Sequence, residues 1–111
     1  MKRLFNNCSL LKNIPDISKW NINKVTDINF LFYGCASLEK LSDISNWKTN
    51  NMIKMKGVFY NCTLLKKIPD ISKWNINEVT DISYLFYGCS SLENIPDISI
   101  WNTNNITNIP F

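Results

Sequence analysis

The sequence predicts an α/β repeat solenoid of about four 27-residue coils, with short parallel strands on one side and short helices on another. Three observations predict it. Cys8, Cys35, Cys62 and Cys89 stand 27 residues apart, and so do Trp20, Trp47, Trp74 and Trp101. Within each copy the apolar positions change from helical spacing to a short extended run, led by Pro in three copies and by Ser42 in the second. The composition, 45% hydrophobic and 19% charged, is that of a folded chain with a core.

The 111 residues read as a single repeat domain, 1–111, with copies at 5–31, 32–58, 59–85 and 86–111. Eight positions are identical in all four copies; in the second they are Phe32, Cys35, Leu38, Asp43, Ile44, Ser45, Trp47 and Asn50. They form the structural ladder, the residues each coil needs to stack on the next. A longer period of 54 lies over the first. Copies one and three share Cys-x-Leu-Leu-Lys, and copies two and four share Tyr-Gly-Cys-x-Ser-Leu-Glu. No atypical capping unit is recognisable, so the chain reads as a segment of a longer array.

Each coil reads as strand, turn, helix, turn, and the helix is the clearest element. Val25, Ile28, Leu31, Phe32 and Cys35 follow helical spacing, Thr26 or Asp27 serves as N-cap, and Gly34 is the left-handed stop. Asn7 and Asn61 replace that Gly in copies one and three, and Asn tolerates the same conformation. Short helices are therefore expected at 27–33 and 81–87, held by packing, since two turns are unstable alone. The strand follows. Pro15, Pro69 and Pro96 cannot donate to a ladder and suit a strand's first residue. A very short strand is expected at 16–19 and one repeat on, with Ile17 inward and Asp16 and Ser18 on the other face. Trp-Asn-x-Asn then turns the chain towards the next helix.

Chemistry is sparse. There is no His, which removes the usual general base and the usual zinc ligand. Three scattered Gly cannot form a phosphate-cradling loop, and a net charge of +3 does not argue for nucleic acid. No run is long enough to span a membrane. The Cys ladder reads as buried thiols, with disulfides or metal ligation as alternatives. The Trp ladder reads as core or half-buried edge, against an exposed row for sugar or peptide. Stacked carboxylates at Asp16, Asp43, Asp70 and Asp97 would repel unless local Asx turns absorb them; calcium between rungs is the alternative. Asn23, Asn50, Asn77 and Asn104 read as a structural amide ladder. No cofactor, no metal and no catalytic residue is expected, and Asp-x-Ser repeated four times reads as structure.

Function is then left to the positions that vary. Lys12, Glu39, Lys66 and Glu93 alternate in sign at one repeat position, and Asn13, Lys40, Lys67 and Asn94 follow them. These eight form the candidate partner-binding face, with the positions around Lys19, Asn46, Lys73 and Ile100 as a second set.

WNINKVTDINFLFYGCASL and WNINEVTDISYLFYGCSSLENIPDIS resemble the Trp-Asp/Asn-x-x-x-Val-Thr-Asp-Met-x-x-Met-Phe repeats of BspA-like leucine-rich-repeat surface proteins, also described as a mycoplasma-lipoprotein-type repeat. The family's Met positions are here Ile28, Leu31, Ile82 and Leu85. The resemblance implies a leucine-rich-repeat-like solenoid used for adhesion or protein recognition. On that basis the expected function is a non-enzymatic recognition module within a surface protein, binding an unidentified protein partner. An intracellular scaffold or adaptor is the alternative, and a purely structural array is a third class. A surface or secreted location goes with a longer signal-bearing protein, and a cytoplasmic one without it. Stacking with further repeats is a natural association for such a chain.

Overall fold

The computed structural model describes residues 5, 9–10, 12, 14–94, 97–98 and 101. Among them there is no α-helix and no β-strand. The helical element is a 3-10 turn, η1, Ile71–Lys73, and the ladder contacts are isolated parallel bridges of Asp27 with Lys54 and Lys54 with Asp81. The expected leucine-rich-repeat-like α/β solenoid of short helices and parallel strands is therefore corrected. The backbone is made of tight turns and irregular segments, tied together by hydrogen bonds between residues about one sequence period apart.

The helices expected at 27–33 and 81–87 are absent for a reason the backbone makes plain. An α-helix needs each N–H to reach the carbonyl four residues back. Here Ile28, Phe30, Phe32 and Gly34 donate instead to the Lys54, Lys56, Val58 and Tyr60 carbonyls, 26 residues further on, at 2.8–2.9 Å. Between them, Leu31, Tyr33 and Cys35 close turns onto Ile28, Phe30 and Phe32 at 3.1 Å. The pattern recurs: Gly57, Phe59 and Asn61 donate to Ser83, Leu85 and Tyr87 at 2.9, 3.1 and 2.7 Å. Asp27 does not cap a helix; its carboxylate accepts from the Asn29 amide at 2.8 Å, and Asn29 Oδ1 accepts from the Lys56 amide at 2.7 Å.

Two left-handed positions per copy make this zigzag. Gly34, Asn61 and Gly88 have φ of 71°, 59° and 76°, at the site the sequence marks with Gly or Asn. Phe30, Gly57 and Tyr84 have φ of 55°, 59° and 58°, in the middle of the expected helix. An aromatic residue there costs about 1–2 kcal/mol. A seven-residue helix would close only about three internal bonds. The zigzag keeps local turn bonds and adds four donors from 28–34 to carbonyls 26 residues further on, each worth about 0.5–1.5 kcal/mol net. These longer-range bonds outweigh the strain.

The strand expected at 16–19 is also corrected. Asp16 Oδ1 accepts from the Ser18 amide at 2.9 Å, and the Trp20 amide donates to the Ile17 carbonyl at 3.1 Å, so the segment is an Asx turn running into a tight turn. Asp43 and Asp70 do the same with Ser45 and Ser72. In the third copy the turn tightens into η1, with Asp70 as its cap.

The core is a set of side-chain columns. Ile17, Ile44 and Ile71 are fully buried, as are Phe32 with Phe59, Cys35 with Cys62, and Leu38 with Leu65. Successive Phe rings stack nearly parallel from Phe5 through Phe32 and Phe59 to Phe86, with centroids 5.6, 5.7 and 6.1 Å apart. Trp47, Trp74 and Trp101 are buried, and each indole N–H reaches back to an earlier carbonyl: Ile17, Ile44 and Ser72, at 3.0, 2.9 and 3.2 Å. Trp20 is different, with 40% of its surface exposed. Thr49 interrupts the Ile22 and Ile76 column and donates its hydroxyl to the Asn75 carbonyl at 3.0 Å.

Candidate functional site

Beside the turns that follow Leu38 and Leu65, the chain leaves an open groove of about 800 Å3. Its floor is apolar: Leu41 and Ile68 are half-buried and pack on the core, with Pro69 beside them. Its walls carry both charge signs. Lys40, Lys66, Lys67 and Lys73 line it, and so do Glu39, Asp43, Asp70 and Glu93. Two backbone bonds set the walls: the Glu39 amide donates to the Lys12 carbonyl at 3.1 Å, and the Glu93 amide to the Lys66 carbonyl at 3.0 Å. Residues of opposite charge from adjacent copies are thereby held in neighbouring rungs.

The groove gathers Glu39, Lys40, Lys66, Lys67 and Glu93 of the expected face. Lys12 and Asn94 are exposed and outside its lining, and Asn13 lies outside the described residues. From the second set Lys73 lines the groove, Lys19 and Asn46 are exposed away from it, and Ile100 lies outside the described residues. Sequence reasoning missed the ladder's own contribution. Asp43, Ser45 and Asp70 form part of a wall, and Leu41 and Ile68 make the floor. The signal was present: Ile14, Leu41, Ile68 and Ile95 keep one repeat position apolar beside the variable charges.

The carboxylates are ionised more firmly than usual. Asp16, Asp43 and Asp70 are held below the ordinary carboxylate range, first by the hydroxyl and then by the amide of the Ser two residues on, with a nearby Lys adding to it. Lys73 is that cation for both Asp43 and Asp70. Each Asp thus spends acceptor capacity on its own turn. Among the described residues no group of three His, Cys, Asp or Glu side chains could hold a metal ion.

The thiols are equally committed. Cys35 and Cys62 are buried, Cys89 is half-buried, and none of them is disulfide-bonded. Their Sγ atoms donate to the carbonyls of Phe5, Phe32 and Phe59 at 3.0, 3.3 and 3.0 Å. Burial pushes the Cys62 thiol far up, with the Cys89 and Cys35 thiols adding to it, and pushes Cys89 up to about 11. Such thiols are poor nucleophiles at neutral pH. Cys8 lies outside the described residues.

A second aromatic column lies on another side. Tyr33, Tyr60 and Tyr87 stack at 4.9 and 4.8 Å, and Phe30 and Tyr84 meet Tyr60 edge-on from either side at 6.4 and 6.0 Å. The Lys56 ammonium sits 5.9 Å from the Tyr84 ring centroid. Tyr84 and Tyr87 are exposed and meet edge-on at 5.7 Å.

Among known proteins, the model of one family matches residues 1–110, and its description is "Mycoplasma protein of unknown function, DUF285". No curated protein and no solved structure matches the chain. The match is to a family of unknown function and not to the BspA-like leucine-rich-repeat surface proteins, so the resemblance drawn from the sequence is corrected. The expected roles fall with it. A leucine-rich-repeat recognition or adhesion module, or an intracellular scaffold of the same build, needs the regular helices and strands that the described residues lack.

Proposed function

As a member of the family described as "Mycoplasma protein of unknown function, DUF285", which matches it over residues 1–110, the chain inherits no activity, and we propose that it is a non-catalytic structural module. One observation carries this reading. The thiol, indole and Asp side chains are committed to hydrogen bonds inside the structure. The thiols donate to Phe carbonyls and the indoles to Ile and Ser carbonyls about one period back, while the Asp carboxylates accept from Ser amides within their own turns. The same fates recur from copy to copy, whereas a catalytic centre needs a group left available for substrate.

The experiment is a thiol titration of the native 111-residue chain with an aromatic disulfide reagent at pH 8, before and after unfolding in guanidinium. The reading expects Cys35 and Cys62 to stay silent in the native state and to react after unfolding. Rapid native reaction at either, localised by peptide mapping, would show an available nucleophile and overturn it.

The groove favours a second reading. An apolar floor between walls of both signs suits a small zwitterionic solute, with Lys40 and Lys67 towards its anionic group and Asp43 and Asp70 towards its cationic one. A thermal-shift screen of free amino acids tests it. A rise in melting temperature that is abolished in K40A/K67A would support it, and no rise at millimolar ligand would refute it.

A further inference from the structure

A second, smaller cavity of about 210 Å3 lies beside the groove, between the second and third copies. It shares Ser45 and Lys73 with the groove, so the two adjoin. Their chemistry differs. Four acids line the groove, whereas among the described residues none lines the cavity. Its charged groups are Lys48 and Lys73, and Asn46, Asn50 and Asn75 stand with them.

Lys48 is where the second copy departs from the repeat. The position after the ladder Trp is Asn in the other three copies: Asn21, Asn75 and Asn102. That Asn closes its own turn. Asn21 Oδ1 accepts from the Asn23 amide and Asn75 Oδ1 from the Asn77 amide, both at 3.0 Å. A Lys side chain has no acceptor, so the Asn50 amide goes without this bond. Lys48 is exposed and makes no ion pair among the described residues, so no contact in the fold offsets the loss. A local rule broken without a structural return marks a functional position.

The neighbouring groups leave donors facing a ligand. Asn75 Nδ2 donates to Asn50 Oδ1 at 3.3 Å, so both amide oxygens are occupied, while Asn50 Nδ2 donates to no described residue. The Ser45 hydroxyl serves Asp43, and the Thr49 hydroxyl donates to the Asn75 carbonyl at 3.0 Å. Lys73 already faces Asp43 and Asp70. The one cation left over is Lys48, which suits a monoanion, and an ionised carboxylate accepts without donating. We infer that the cavity holds the carboxylate of a small monocarboxylic acid, with Lys48 and Asn50 Nδ2 as its donors and the apolar tail passing Lys73 onto the Leu41 and Ile68 floor.

The site is separate from the zwitterion reading, which uses Lys40 and Lys67, so either can fail alone. Side-chain amide signals of the isotope-labelled 111-residue chain are followed by NMR as sodium hexanoate is added. Parallel titrations use sodium chloride at equal ionic strength, sodium acetate, hexanamide and sodium phosphate. Hexanoate should shift the Asn46 and Asn50 amide signals saturably in the millimolar range. Acetate should bind roughly tenfold more weakly because it leaves the floor uncovered, and hexanamide should not bind. Lys48→Asn places at 48 the residue of the other copies. It should melt no lower than the parent and bind hexanoate roughly fivefold more weakly or worse. Shifts that match those with chloride, equal binding of acetate or hexanamide, or tighter binding of phosphate would each overturn the inference. So would undiminished binding by Lys48→Asn, or a lower melting temperature, which would show that Lys48 serves the fold. Hexanoate binding lost in K40A/K67A but kept in Lys48→Asn would put the acid in the groove instead and refute the cavity.

Discussion

Gly57→Ala isolates the backbone turn that replaced the expected helix. Gly57 has φ of 59°, in register with Phe30 at 55° and Tyr84 at 58°. Two costs follow. Alanine in the left-handed region is worth about 1–2 kcal/mol. A Cβ at position 57 would also lie 2.5 Å from Phe30 Cε1 and 2.6 Å from Cδ1, closer than carbon atoms pack. The Phe30 ring must then move and give up part of its edge contacts with Tyr33 and Tyr60, each worth about 0.5–1.5 kcal/mol. The total is about 2–4 kcal/mol. In a domain of this size that lowers the melting temperature by roughly 8–25 °C.

The two costs separate in a double-mutant cycle with Phe30→Gly, read by guanidinium unfolding. Phe30→Gly removes the clash and its own left-handed strain but also loses the ring contacts. Gly57→Ala should cost about 1–2 kcal/mol less in that background, leaving only the conformational term. A single variant as stable as the parent would refute the left-handed turn at 57. A cycle with no coupling would refute the close approach of Phe30.

Other outcomes follow from the same contacts. Trp74→Phe removes the 2.9 Å bond to the Ile44 carbonyl within the core and should destabilise by about 1–3 kcal/mol in chemical denaturation. Thr49→Val completes the apolar column of Ile22 and Ile76 and should leave stability within about 1 kcal/mol of the parent, since the Asn75 carbonyl it abandons belongs to an exposed residue. The folded-state pKa values of Asp16, Asp43 and Asp70 lie below their unfolded values, so their stabilisation is present above the unfolded carboxylate range and is lost as pH falls through the folded pKa. Melting temperature should hold from neutral pH down to about 5 and then decline. Ser45→Ala and Ser72→Ala should flatten that decline, and unchanged acid profiles would show that the hydroxyls do not hold the carboxylates.

The local chemistry was largely legible and the secondary structure was not. Gly34 and Asn61 announced their left-handed backbone because few other residues tolerate it, and both adopt it. The Asp-x-Ser turns were legible because a short carboxylate finds the amide two residues on without help from the rest of the fold. The helix was misread because its spacing, i, i+3, i+7, also suits a chain that turns every two residues and buries the same columns. Phe30 and Tyr84 gave no warning, since no aromatic residue favours positive φ; at Phe30 a bond to the Lys56 carbonyl helps hold the backbone there. The groove was half legible: its charges vary in the sequence, but its floor and its Asp43 wall come from residues that look purely structural.

By itself the sequence determined the period of 27, the residues that must face inward, and the turns that close on their own side chains. These depend on interactions within a few residues or on simple repetition of apolar positions. Only the tertiary structure decided what the backbone N–H groups bond to. In a segment too short for a stable helix, donors reach carbonyls about 26 residues away at 2.7–3.1 Å, and the strain of the left-handed Phe30 is offset by such a partner, the Lys56 carbonyl. No local reading can weigh that balance, because one side of it lies in another copy.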